Sequence, residues 1–162
     1  MIQTTYCNNG CCALTTTNRP LRRQYYYTKN RSKAGAIIYD TNTDRILLIQ
    51  SRHLKWGFPK GSTEERDTTI HETAIREVRE ETGIVISSDV MNKAPLHRIY
   101  RCSYYYVEMP IQPIKLHDSD SNDSTGMTWI KPQCLLQLVR SGSVDINAHF
   151  RKVFFDVFRI TI

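Results

Sequence analysis

The stretch that decides the fold opens Trp56-Gly57-Phe58-Pro59-Lys60-Gly61, continues through a polar run, and closes Arg76-Glu77-Val78-Arg79-Glu80-Glu81-Thr82-Gly83-Ile84. Gly57, Pro59 and Gly61 punctuate a loop. Thr68 to Thr82 has helical periodicity, with Ile75 and Val78 on one side, and Gly83 is placed to cap its C-terminus. At roughly 100° per residue, Glu81 falls about 40° from Glu77 on one side and Glu80 about 60° on the other. Three carboxylates therefore crowd one arc. Glu77 and Glu81 are like charges four residues apart, a repulsion of roughly a few tenths of a kcal/mol that a bound cation would remove.

Carboxylate oxygens are hard ligands, so the expected ion is Mg²⁺ or Mn²⁺, held by Glu77, Glu80 and Glu81. Gly61, lacking a side chain, lets a backbone carbonyl approach the same ion. Arg76, four residues before Glu80, can hold that carboxylate in position, and Lys60 could meet a phosphate. The charge pattern alone also fits a solvated helix face laced to Arg76 and Arg79. The glycine-bounded loop before it and Gly83 after it are what turn a charge pattern into a motif.

That motif resembles the signature of the Nudix hydrolases: Gly, five residues, Glu, seven residues, then Arg-Glu-apolar-x-Glu-Glu-x-Gly-apolar. Gly61, Arg76, Glu77, Val78, Glu80, Glu81, Gly83 and Ile84 match it. Asp67 stands where the family has its first glutamate, and eight residues rather than seven separate it from Arg76. In the family that glutamate supports the motif arginine, and Asp67 is expected to reach across the extra residue. The resemblance implies a sandwich fold and metal-assisted hydrolysis of a nucleoside diphosphate linked to another group. Glu77, Glu80 and Glu81 would share metal binding and the base role, with Glu80 the first choice for the base and Arg76 counted with Glu77 and Glu80 in the catalytic set. Some family members use a later acidic residue. Here Ser124 to Thr128, before Trp129, carries no carboxylate; Glu108 or the loop aspartates Asp118, Asp120 and Asp123 could substitute, but an ordinary solvated loop is the simpler reading of them.

Working outward, Ala34 to Asp40 and Arg45 to Gln50 read as an antiparallel hairpin about a turn-like Asp40-Thr41-Asn42-Thr43-Asp44. Strand-like stretches follow at Ile84 to Ser87, Leu96 to Tyr100, Ser103 to Met109 and Met127 to Ile130. A last helix is expected from near Ser143 or Asp145, with Ile146, Phe150, Val153, Phe154, Val157 and Phe158 packing the core. Short strands with two helices imply an α+β fold, the α/β/α sandwich with a mixed β-sheet that the resemblance also implies. The first 20 residues, rich in Thr, Asn and Cys, look poorly structured or peripheral. The division expected is a basic N-terminal arm over 1–33 and the hydrolase domain over 34–162.

The chain has 162 residues, 40% of them apolar, which fits one ordinary domain with a proper core. Its apolar runs are too short for a membrane span and Met1 to Gly10 is polar, so a cytoplasmic protein without a membrane partner is expected. Cys7, Cys11, Cys12, Cys102 and Cys134 are expected to be reduced thiols. The local spacing Cys7-x3-Cys11-Cys12 has no partnering His, so no structural zinc is expected.

The net charge of +6 is localised. Arg19, Arg22, Arg23, Lys29, Arg31 and Lys33 lie in residues 1–33, which hold no Asp or Glu, while residues 34–162 carry 16 basic and 16 acidic side chains. Such asymmetry points to a polyanionic partner, most simply nucleic acid and less often an anionic membrane face, the plainer alternative being a solvated basic tail leading into a first strand. Arg22 and Arg23 are the substrate-binding candidates there, with Tyr25, Tyr26 and Tyr27 available to stack on unpaired nucleotides.

The stretches Lys33 to Ile38, Arg45 to Ile49, Trp56 to Gly61 and Ala74 to Val78 are similar to the Nudix domain of mRNA decapping enzymes, in the compact form of large DNA viruses. That similarity implies capped RNA as substrate, with m7GDP and 5′-monophosphate RNA as products. Tyr104, Tyr105, Tyr106 and Trp129 are available to sandwich a methylated guanine by cation–π contact, half of them expected to face the core instead. The alternatives are hydrolysis of dinucleoside polyphosphates or diphosphoinositol polyphosphates, and an inactive module that binds RNA or protein.

Overall fold

A computed structural model describes residues 1–18, 31–51, 54–116 and 124–162. Strands β3 (Lys33–Asp40) and β4 (Arg45–Ser51) form the expected antiparallel hairpin. Asp40 closes its turn by accepting from the Asn42 backbone N–H and the Thr43 hydroxyl, at 3.0 and 2.6 Å. Short strands β5 (Lys55–Gly57) and β6 (Lys60–Ser62) sit on either side of Phe58 and Pro59 and pair with β4 and β3 respectively.

The helix read from the decisive stretch is α1 (Ile70–Thr82). The Thr69 hydroxyl accepts from the Glu72 N–H at its start, and Gly83, at φ 78°, closes it with a bond from its N–H to the Arg79 carbonyl. Ile84 to Ser87 is not a strand. Ile84 and Ile86 are buried and Val85 is exposed, a strand-like alternation, but the segment pairs with no described strand. Ser87 instead caps a second helix, α2 (Ser88–Lys93).

Strands β7 (Leu96–Ile99), β8 (Cys102–Glu108) and β9 (Gly126–Ile130) fall where the alternation places them. Two helices follow rather than one: α3 (Pro132–Arg140), opened by proline at its first position, and α4 (Ala148–Phe158), capped by Asn147. The last helix therefore starts a few residues after Ser143 and Asp145. Asp145 belongs to β10 (Asp145–Ile146), which lies parallel to β5.

The first residues are also structured, against expectation. β1 (Ile2–Tyr6) and β2 (Ala13–Thr17) form an antiparallel hairpin that joins the main sheet through β9. The main path runs β1-β2-β9-β4-β3-β8-β7, and the β3–β8 pair is parallel in an otherwise antiparallel path. The sheet is mixed. Because side chains alternate across strands, Ile37, Ile46, Leu48 and Tyr104 pack with α3 and α4 on one face. Ala36, Ile38, Leu47 and Tyr105 pack with α1 and α2 on the other. The result is the α/β/α sandwich of the α+β class, with Phe150, Val153 and Phe154 of α4 in the core as expected.

Candidate functional site

The site is built where α1 crosses β6. Gly61 pairs with Ala34 of β3, which presses its α-carbon against the helix. A Cβ at Gly61 would lie 2.1 Å from the Glu77 carboxyl carbon. Only glycine leaves the Glu77 carboxylate in this place. Gly35 plays a different part: its Cβ would lie 2.0 Å from the Pro59 carbonyl oxygen, so it lets two backbones approach.

Arg76 organises the carboxylates. Its Nε and Nη2 donate to the two oxygens of Asp67 at 3.1 and 2.8 Å, and Nη2 also donates to the Ser62 carbonyl at 2.9 Å. Its Nη1 reaches Glu77 at 2.8 Å and Glu80 at 3.2 Å. Asp67 further accepts from the Glu64 N–H and the Thr73 hydroxyl. Asp67 does span the extra residue. The Arg76 guanidinium, aided by the Glu64 and Thr73 donors, holds the Asp67 carboxyl well below the usual carboxylate range.

The three clustered glutamates have different surroundings. Glu77 is mostly buried, and burial pushes its carboxyl above the usual range against the opposing pull of Arg76. Glu80 is half exposed and is bonded also to Arg66, at 3.1 Å. Glu81 is buried and accepts from the Lys60 backbone N–H at 2.8 Å. All three lie in the last two turns of α1, at the end whose dipole disfavours negative charge. Helix stability alone would not put them there. The donor set is hard oxygen throughout, the chemistry that suits Mg²⁺ or Mn²⁺, and the Gly61 gap admits the Glu77 carboxylate in close packing.

On the far side of Glu81 a cleft is bordered by Lys60, Ser51, Tyr104, Asn147 and His149. His149 Nε2 lies 3.0 Å from the Tyr104 hydroxyl, and burial, then the charges of Lys60 and Lys33, push its pKa down. Tyr104, Asn147 and His149 were not legible as a set. Asn147 and His149 come from the start of α4, brought back beside Lys60 only by the completed fold.

Other candidates are placed elsewhere. Tyr105 and Trp129 are buried, and Trp129 spends its indole N–H on the Gln112 carbonyl at 3.0 Å. Tyr106 packs beside Tyr39. Of the four proposed cap-stacking aromatics, Tyr104 alone borders the cleft, and its ring is core. Glu108 pairs with Tyr39, at the opposite end of β3 from Ala34 and Gly61, so it does not join the glutamate cluster. Arg22, Arg23, Tyr25, Tyr26, Tyr27, Asp118, Asp120 and Asp123 lie outside the described residues. The described strands on either side of the basic stretch, β2 and β3, both belong to the sheet. Among the described residues, no helix is long and apolar enough to cross a membrane.

The model of the NUDIX domain matches residues 29–148. The protein called "Putative hydrolase 111R" of Invertebrate iridescent virus 3 is 31% identical over 145 residues, covering 85% of this chain and 83% of that one. The mRNA-decapping enzyme subunit 2 of Arabidopsis thaliana is 37% identical over 68 residues, 41% of this chain and 18% of that protein. Among solved structures, a bifunctional NMN adenylyltransferase/ADP ribose pyrophosphatase from Francisella tularensis, complexed with AMP and a Mn ion, shares the fold. It is 20% identical with a TM-score of 0.56, covering 80% of this chain and 42% of that chain.

Proposed function

The chain belongs to the Nudix family, and we infer from this that it is a divalent-metal-dependent pyrophosphohydrolase acting on the 5′ cap of mRNA, releasing m7GDP and 5′-monophosphate RNA. The observation that carries the hydrolase reading is the convergence of Glu77 and Glu80 on Arg76 Nη1, with Glu77 seated against Gly61. The 68-residue similarity to a decapping enzyme subunit and the cluster of basic residues before β3 support the cap as substrate.

Glu77, Glu80, Glu81 and the Gly61 carbonyl would hold Mg²⁺ or Mn²⁺. When bound, such an ion neutralises diphosphate charge and acidifies a coordinated water. The protein's own groups do the rest. Arg76, locked by Asp67, keeps Glu77 and Glu80 aligned, and Glu80, the most exposed of the three, would take the proton of the attacking water. Lys60, on the cleft wall next to Glu81, meets a substrate phosphate, while Tyr104, Asn147 and His149 offer polar contacts to the nucleoside side. Arg22 and Arg23 contribute phosphate contacts along the RNA.

Incubation with cap-labelled RNA and Mg²⁺ or Mn²⁺ tests this, with the small product identified. Release of methylated GDP that stops in EDTA is the expected result. Turnover of free dinucleoside polyphosphates or diphosphoinositol polyphosphates without release from capped RNA would retain the hydrolase and replace the substrate. Silence on every diphosphate would favour a binding module.

A further inference from the structure

The N-terminal hairpin carries a second donor set that the glutamate chemistry does not use. Cys7, Cys11 and Cys12 sit in its turn, and Cys134 enters from the first turn of α3. The four sulfurs all lie within 4.8 Å of one another, and Cys11 Sγ is 3.7, 3.6 and 3.6 Å from those of Cys7, Cys12 and Cys134. A tetrahedral zinc with Zn–S bonds of about 2.3 Å requires S···S edges of about 3.8 Å. The expectation of no zinc rested on local spacing, and the missing ligand is more than a hundred residues away in sequence.

The surroundings suit a metal thiolate. Cys7, Cys12 and Cys134 are buried, and Cys11 is exposed at the rim. The Lys131 backbone N–H donates to Cys12 Sγ at 3.4 Å, the kind of bond that stabilises a thiolate over a thiol. The turn is tight: Gly10, at φ 68°, donates to the Cys7 carbonyl at 2.8 Å, and the Cys7 N–H reaches the Cys12 carbonyl at 2.9 Å. Arg45 binds the Cys11 carbonyl at 2.8 Å, which brings a guanidinium near what would be a doubly negative centre. Every residue of β1 is exposed, whereas β2 pairs with β9 and buries Leu14 and Thr17, so a metal in the turn would add a second anchor at the hairpin's free end.

We propose that Cys7, Cys11, Cys12 and Cys134 form a structural zinc site that staples the N-terminal hairpin to α3. This role is separate from hydrolysis, because the glutamates lie on α1, against the opposite face of the sheet.

The test is metal analysis of the full chain after gel filtration without chelator. About one zinc per chain is expected, retained in the Glu77→Gln and Cys102→Ser variants and lost in Cys134→Ser. Because Cys134→Ser could fail to fold, the parent protein is also exchanged with Co²⁺. An intense thiolate-to-cobalt charge-transfer band, with the visible bands of a tetrahedral site, is the expected spectrum. Zinc that disappears with Glu77→Gln but survives Cys134→Ser would overturn the proposal. So would a metal-free native protein whose cluster cysteines all alkylate freely or appear as disulfides by mass.

Discussion

Asp67 grips Arg76 with both carboxylate oxygens, at 3.1 and 2.8 Å, across one more residue than the family spacing provides. The aspartate is one methylene shorter than the family's glutamate, yet both of its oxygens reach the guanidinium. The pair is nearly dry, with side-chain exposures of 4% and 12%. Its partners pass the constraint on, since the same guanidinium touches Glu77 and Glu80.

Asp67→Asn leaves a buried guanidinium with one charge partner fewer. Arg76 keeps Glu77 and the Ser62 carbonyl, so the expected loss is about 2–3 kcal/mol rather than more. Chemical denaturation measures it. Hydrolysis should fall as well, through misaligned glutamates. The sign with pH follows from the depressed carboxyl. Its stabilisation is complete above the unfolded value of about 4 and is lost as pH falls below it. Melting temperatures should therefore drop more steeply in acid for the parent than for Asp67→Asn, and equal slopes would refute the assignment.

Gly61→Ala and Gly35→Ala should separate activity from stability. At Gly61 the new methyl meets only the far end of the Glu77 side chain, which can swing away. Folding should be largely retained while hydrolysis falls on the order of 100-fold, the scale of a displaced catalytic group. At Gly35 the methyl meets the Pro59 carbonyl and the Lys60 backbone, which cannot yield without parting β3 from the β5–β6 loop. That variant should lose stability first. Circular dichroism melts run beside the hydrolysis assay decide both.

Much of this was legible because it is local. The period of α1, its Gly83 cap and the spacing of Glu77, Glu80 and Glu81 lie within one element, where sequence distance and spatial distance agree. Ile84 and Ile86 misled for the opposite reason: burial alternates there, yet a strand needs a partner, and Ser87 starts a helix instead. The hairpin at the N-terminus hid behind polar composition, since β1 is exposed throughout. Cys134 joining Cys11, and His149 joining Tyr104, are contacts over 123 and 45 residues that no local pattern encodes.

His149 gives a second pH signature. Burial and the charges of Lys60 and Lys33 depress its pKa, so it is neutral in the native protein near neutrality. The unfolded chain takes up a proton near pH 6.5. Stability from this group is thus present above about 6.5 and lost as pH falls through the lower native value. His149→Gln should flatten the melting profile over that window. The histidine C2-proton shift followed by NMR should titrate below the free-imidazole midpoint, and a midpoint at or above it would contradict the arrangement.

The basic stretch makes the substrate proposal quantitative. If Arg22 and Arg23 each neutralise one RNA phosphate, replacing both with alanine should lower the slope of log affinity against log salt by about 1.4, near 0.7 per single-strand contact. The loss should be large at low salt and shrink as salt rises. Free dinucleoside polyphosphate turnover should be unchanged if the arginines act on the RNA chain rather than on the diphosphate. Filter binding of capped RNA over a salt series, alongside small-substrate kinetics, reads both quantities. Equal loss on short and long substrates would move the arginines into the diphosphate site itself, and an unchanged salt slope would remove RNA as the partner of this stretch.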